Sequence, residues 1–295
     1  LPMLFRVKGG EEQLELAIET LCRRASLAIK SGYTLLILSD RGVDHEYAPI
    51  PSLLALSAVH NHLIREETRN QVALIVESGE PREVMHFALL LGYGASAVNP
   101  YLAIETLEDR HRAGIFPPEY TWDKVFKSYM KAIDKGLLKT FSKMGISTLQ
   151  SYQGAQIFEA VGLSQSLIEK YFTGTSSRIE GVGIEVLARE ALMKHEFAMQ
   201  PPHDSDTELR VGGEYQYRVR GERHLLNPTT VSKLQHAVRN SKFESFREFA
   251  DIVNQQNHEL QMLRGMFEFK PAGRAVPIEE VEPAAEIVKR FATGA

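Results

Sequence analysis

Ser39-Asp40-Arg41, Glu77-Ser78 and Asn99 each follow directly on an apolar run of strand length, which makes them the first candidates for chemistry. An acid, a guanidinium, a second acid and an amide at the C-terminal ends of parallel strands is where α/β enzymes place their sites. The same residue types serve equally well as an ion-pair network that fixes loops or a domain interface. Asp40, Arg41, Glu77 and Asn99 include no evident nucleophile–base pair, and no spacing among them identifies a reaction. They are read as a structural or interface rim, with no catalytic residue assigned.

The other motifs yield less. His60 and His62 would share a face only on a strand, and residues 52–67 have helical period, so the two rings diverge. No histidine shows metal-ligand spacing, and no metal site is expected. Thr173-Gly-Thr-Ser-Ser177 could cradle a phosphate on backbone N–H groups, but it lacks the Gly-Lys-Ser/Thr ending of a nucleotide loop. Gly181-Val-Gly183 is a fragment of a dinucleotide fingerprint. Both read as helix-start loops, and no cofactor-binding residue is assigned. Basic and aromatic residues alternate through residues 233–249, where Glu244, Glu248 and Asp251 dilute the charge and helical spacing points to core packing.

The elements that must position these residues alternate in period. Strand-length runs occur at residues 2–7, 34–38, 72–76 and 95–98. Between them Leu14, Ile18, Leu21 and Ile29, then Leu53, Leu56, Val59 and Leu63, then Val84, Phe87, Ala88 and Leu91 have helical spacing. This pattern predicts βαβ units and a parallel sheet. Ser31-Gly32, Pro51-Ser52 and Gly92-Tyr93-Gly94 mark helix boundaries. Beyond residue 109 the spacing predicts a helix over 120–144, a fifth strand at 146–149, a short helix over 153–161, and helices over 164–171 and 184–197. It then predicts a polar loop at 201–207, a hairpin of 214–219 with 222–226, helices over 229–240 and 243–255, and a proline-punctuated tail from residue 271.

Of the 295 residues, 34 Lys plus Arg face 38 Asp plus Glu, a net charge of -4 that argues against nucleic acid as a partner. No apolar run of about 18 residues is present to span a membrane. The N-terminus has no basic-then-apolar signal pattern, so a cytoplasmic location is expected. Cys22 is the single cysteine, which excludes internal disulfides and a cluster ligated within this chain. It lies on an apolar helical stripe and reads as an inert core thiol.

Several blocks carry a family resemblance. They include Gly32-Tyr-Thr-Leu-Leu-Ile-Leu-Ser-Asp-Arg-Gly-Val43, Ile50-Pro-Ser-Leu-Leu-Ala-Leu-Ser-Ala-Val-His60 and His86-Phe-Ala-Leu-Leu-Leu-Gly-Tyr-Gly94 with Asn99-Pro-Tyr-Leu-Ala103. Lys143-Met-Gly-Ile-Ser-Thr-Leu-Gln-Ser-Tyr152, Phe172-Thr-Gly-Thr-Ser-Ser-Arg-Ile-Glu-Gly181 and Leu226-Asn-Pro228 continue the series. Pro277-Ile-Glu-Glu-Val-Glu-Pro283 and Val288-Lys-Arg-Phe-Ala-Thr-Gly-Ala295 end it. Together they resemble the central domain of glutamate synthase along nearly the whole chain.

The resemblance implies a large iron–sulfur flavoprotein. An amidotransferase domain releases ammonia from glutamine, and an FMN-binding domain combines it with 2-oxoglutarate and reduces the imine, using electrons from NADPH or ferredoxin. The central domain implied is an incomplete, rudimentary parallel βα barrel with helical insertions. The expected layout is a central domain over residues 1–270, with βα units in 1–108 and a helical and hairpin region in 109–270, then a linker over 271–295. The expected partners are the amidotransferase and FMN-binding domains of the same polypeptide. FMN and the cluster belong to the parent enzyme, with no cofactor in this chain. The family's catalytic N-terminal cysteine and cluster cysteines are missing, so the chain reads as an excised scaffold segment, inactive alone. The alternative is a free-standing barrel enzyme or binding module for a phosphorylated small molecule.

Overall fold

The computed structural model describes residues 1–200, 212–260, 262–271 and 273–291. The chain divides into two compact units, Leu1–Pro201 and Pro202–Ala295. The first carries β1 (Leu4–Arg6), α1 (Glu12–Lys30), β2 (Leu35–Ser39), β3 (Tyr47–Pro49), α2 (Ser52–Arg65) and β4 (Ala73–Glu77). There follow α3 (Val84–Gly92), β5 (Ala97–Asn99), α4 (Tyr101–Arg112), α5 (Trp122–Met144), α6 (Leu149–Tyr152), β6 (Glu159–Leu163), α7 (Gln165–Tyr171), β7 (Ser176–Val182) and α8 (Ile184–Met199).

The predicted βα alternation is present. β2, β4 and β5 form a parallel sheet in chain order, with Ser39 opposite Glu77 and Glu77 opposite Asn99. Residues 1–3 extend that order, since Pro2 bridges Ser39 in parallel and Ser39 donates its N–H to Leu1 O. The chain then turns away, and β1 pairs antiparallel with β3, a strand the periodicity does not announce.

One face of the parallel sheet is core. Leu36, Leu38, Leu74 and Val76 pack there with Leu14, Ile18 and Leu21 of α1 and Leu54, Val59 and Leu63 of α2. Each such burial contributes up to roughly 1.5–3 kcal/mol. The other face is open: Leu35 is 61% and Ile37 47% exposed on β2, and Ala97 is exposed on β5, across β4 from them.

Helix ends fall where the punctuation predicts. α1 stops before Gly32, whose φ of +87° suits glycine, and Tyr33 N–H closes back on Ala28 O. α5 buries Val125 and Ile133 and ends at left-handed Gly145.

Residues 146–163 overturn two expectations. The segment 146–149 is no strand: Thr148 caps α6 through the Ser151 N–H, and this local capping prevails over a short apolar run. The predicted helix over 153–161 is replaced by β6, which pairs in parallel with β7. The stretch 173–183 is likewise no mere loop, because residues 176–182 are β7. Its inward Ser177 and Ile179 alternate with exposed Ser176, Arg178 and Glu180, a period of two that the glycines mask.

The second unit holds α9 (Pro228–Arg239), α10 (Phe243–Glu259), α11 (Leu263–Met266) and α12 (Ala284–Arg290). Asn227 and Thr230 form a capping box at the start of α9, with Pro228 at the first helical position. The predicted hairpin does not form among the described residues. Arg218 and Gly221 close a tight turn, but no strand ladder follows. The polar loop predicted at 201–207 lies outside the described residues. Pro283 precedes α12, whose Val288 and the adjoining Phe291 are exposed. No described helix is long and apolar enough to cross a membrane.

Candidate functional site

The strand register places Ser39, Glu77 and Asn99 in one row on the open face of the parallel sheet. Glu77 gathers the row. Its carboxylate accepts Ser39 Oγ at 2.6 Å, Arg41 Nε at 3.1 Å and Asn99 Nδ2 at 3.2 Å. These bonds, with Ser39 the strongest, outweigh desolvation and hold its pKa below the usual carboxylate range. Arg41 also reaches Glu105 at 3.2 Å, and its guanidinium lies 3.9 Å from the Tyr101 ring centroid. Of the four predicted rim residues, Arg41, Glu77 and Asn99 thus form one network.

Asp40 belongs to a second network. It is 3% exposed and accepts Ser78 Oγ at 2.6 Å and Gly79 N–H at 3.1 Å. The Tyr101 hydroxyl also hydrogen-bonds to it; burial first and this bond second keep that phenol above its ordinary pKa. Backbone continuity explains the split, since neighbouring residues of a strand face opposite sides. Next to Asp40, Glu80 accepts both the N–H (2.7 Å) and the hydroxyl (2.5 Å) of Ser52, the first residue of α2. An anion there complements the helix dipole. Sequence reading missed Glu80, Tyr101 and Glu105; the placement of Glu80 three residues past a strand end was the available signal.

The remaining motifs resolve into structure. His62 Nε2 lies 2.8 Å from Ser26 Oγ and 3.5 Å from Glu66, while His60 lies against Arg69, so the two rings diverge as the helical period predicts. Thr173 Oγ1 donates to Glu169 O, Thr175 Oγ1 pairs with Tyr93 OH at 2.8 Å, and Ser176–Val182 are strand. Thr175 N–H closes a turn on Phe172 O and Ser176 already begins β7, so residues 173–177 lack the helix N-terminus that a phosphate cradle needs. Gly181 is the close-approach point of β6 and β7: a Cβ there would lie 2.3 Å from Gly162 O. An iron–sulfur cluster does not fit either, since Cys22 is the sole thiol and burial pushes its pKa up to about 11. No group of three or more His, Cys, Asp or Glu suited to a metal ion occurs among the described residues.

Two helices are joined by a polar contact that sequence reading also missed. Ser57 Oγ donates to Tyr171 O at 2.5 Å, and Asn61 Nδ2 donates to the same carbonyl at 3.0 Å, fixing α2 to the end of α7.

Residues 1–164 match the family model of the glutamate synthase central domain. The NADPH glutamate synthase large chain of Bacillus subtilis is 44% identical over 284 residues, which cover 96% of this chain and 18% of that protein. The NADH glutamate synthase of Schizosaccharomyces pombe is 45% identical over 282 residues, covering 95% of this chain and 13% of its own length. The ferredoxin-dependent glutamate synthase 1 of Arabidopsis thaliana is 39% identical over 297 residues, covering 97% and 18%. The chain therefore spans less than a fifth of each of these relatives.

Proposed function

The chain belongs to the glutamate synthase central-domain family, and from that premise we propose that it is the connecting segment of a glutamate synthase, a scaffold that catalyses nothing alone. In this reading it joins an amidotransferase domain to an FMN-binding domain in one cytoplasmic polypeptide and keeps them oriented for ammonia transfer. Residues 1–270 are the scaffold and 271–295 the linker. The FMN and the cluster sit in other domains.

The observation that carries this reading is the open face of the parallel sheet. Parallel sheets bury both faces, yet Leu35 and Ile37 stand about half exposed on this one. Apolar surface of that kind is covered in a larger assembly. The chain-order arrangement of residues 1–3, β2, β4 and β5 supports an arc of a rudimentary βα barrel, because a doubly wound sheet would reverse direction. Along the upper edge of that face, Arg41, Glu77 and Asn99 spend their polar groups on one another, which suits a fixed interface rim. A rigid interface of this sort keeps ammonia from bulk water, where it would be protonated and lost.

A chimaera tests the proposal. This chain replaces the matching segment of the Bacillus subtilis large chain, and Ile37→Glu and Glu77→Gln are introduced into it. Glutamine-dependent glutamate formation should fall while formation from added ammonia persists. Loss of the ammonia-dependent reaction with flavin content and fold intact would contradict the scaffold role. The isolated chain mixed with FMN should yield no yellow complex on gel filtration.

A further inference from the structure

Behind the Asp40 network, between the strand ends and α8, the first unit lines a half-open cavity of about 610 Å³. That lies within the range of roughly 300–1,000 Å³ usual for small-molecule sites. Its walls are apolar, with Leu54, Leu163, Phe172 and Leu187 among them. His195 Nε2 meets Asp44 O at 2.6 Å and anchors α8 over the space; the carbonyl can only accept, so this nitrogen carries the hydrogen.

The charge on the lining is one-sided. Asp40, Glu80 and Glu190 supply three carboxylates against the single ammonium of Lys194. Asp40 and Glu80 are held by neutral donors, from Ser78, Gly79, Tyr101 and Ser52. Among the described residues none of the three carboxylates has an ion-pair partner, although Glu190 and Lys194 are one helical turn apart. Such bonds satisfy the oxygens but leave the negative charge uncancelled, and apolar walls strengthen its field.

We propose that this cavity is a binding site for a small organic cation, a primary ammonium or guanidinium group on an aliphatic or aromatic body. The body fills the apolar space and the cation offsets the Asp40 and Glu80 charges. This site is independent of the scaffold role, since none of Leu35, Ile37, Arg41, Glu77 and Asn99 lines it.

Benzylamine, benzyl alcohol and benzoate share one ring and differ in charge, which makes them suitable probes. Titrated into the full chain and followed by calorimetry and thermal melting, benzylamine should bind one-to-one. It should raise Tm by about 3 °C at ten times its Kd. Benzyl alcohol should bind at least about tenfold more weakly, and benzoate should not bind. Ala191→Phe, which fills the space from α8, should abolish benzylamine binding, with circular dichroism reporting the fold. If that variant does not fold, Glu80→Gln keeps an acceptor for Ser52 while removing one charge, and should weaken benzylamine about tenfold. The proposal is overturned if benzylamine shows no saturable binding, if benzoate or benzyl alcohol binds as well as benzylamine, or if folded Ala191→Phe or Glu80→Gln keeps the original affinity.

Discussion

Arg69 donates its Nε–H to His60 Nδ1 at 2.9 Å, so a permanent cation and a titratable ring share one hydrogen bond. The same guanidinium caps Val72 O and Gly94 O, each at 2.7 Å, and thereby ties the end of α2 to the starts of β4 and β5. Only a neutral imidazole can accept that bond. Burial, and second the Arg69 charge, lower the His60 pKa to about 4. Gly94 has no side chain to compete for the space: a Cβ there would sit 2.2 Å from His60 Nδ1.

This pairing makes stability depend on pH in a defined window. Between pH 6.5 and about 4 the unfolded chain protonates His60 while the folded chain does not. Stability is fully present above the unfolded pKa and is lost as pH falls through the window, by about 3 kcal/mol in all. Urea unfolding at pH 7.5, 6, 5 and 4 should show the decline, and His60→Gln should flatten it. The carboxylates with lowered pKa, Glu15, Glu77 and Glu248, lose their contributions only as pH falls below the ordinary carboxylate value, so the upper part of the window isolates the histidine.

Gly181→Ala should break the β6–β7 pair. Its Cβ would meet backbone, Gly162 O at 2.3 Å, which cannot swing aside. The expected cost is about 1–3 kcal/mol. Gly183→Ala provides the contrast, because its new methyl meets only the mobile end of Glu185. If both variants unfold at the same urea midpoint, the close approach is not what requires glycine at 181.

Ser57 and Asn61 both serve the buried carbonyl of Tyr171, so removing one leaves it a donor and removing both orphans it. Ser57→Ala and Asn61→Ala should each cost about 1 kcal/mol, and the double variant should exceed their sum by about 0.5–3 kcal/mol. Additive costs in a double-mutant cycle would mean that the two donors act separately.

Cys22 should resist thiol reagents until the chain unfolds. It is 8% exposed and its pKa is raised to about 11 by burial, so roughly one thiol in a thousand is ionised at pH 8. Labelling with a chromogenic disulfide should be slow in buffer and complete at once in urea. Rapid labelling of the native chain would show that α1 opens locally.

Much of the first hundred residues was legible in the sequence because their information is local. Apolar runs at strand length, Leu14, Ile18 and Leu21 at helical spacing, and Gly32 or Gly94 at helix ends encode elements within a few residues of themselves. The identities of Arg41, Glu77 and Asn99 as strand-end polar groups were equally readable, because strand boundaries alone decide them. β6 and β7 were not, since a parallel pair is held by a partner separated from it by a helix, and Gly162 and Gly181 erase the period. The hairpin read at 214–226 failed in the opposite way: its turn is local and forms, but strands need a ladder that nothing there supplies.

The sequence by itself determined the family, the order of the first elements and which side chains stand at the strand ends, because periodicity and chain order carry those facts. Only the tertiary structure decided that Asp40 parts company from Arg41, Glu77 and Asn99, that Glu80 caps α2, and that Ser57 and Asn61 share one carbonyl. These depend on strand register and helix packing between segments up to 114 residues apart. The open face of Leu35 and Ile37 and the cavity behind Asp40 have the same origin: each exists only where separate elements do, or do not, cover one another.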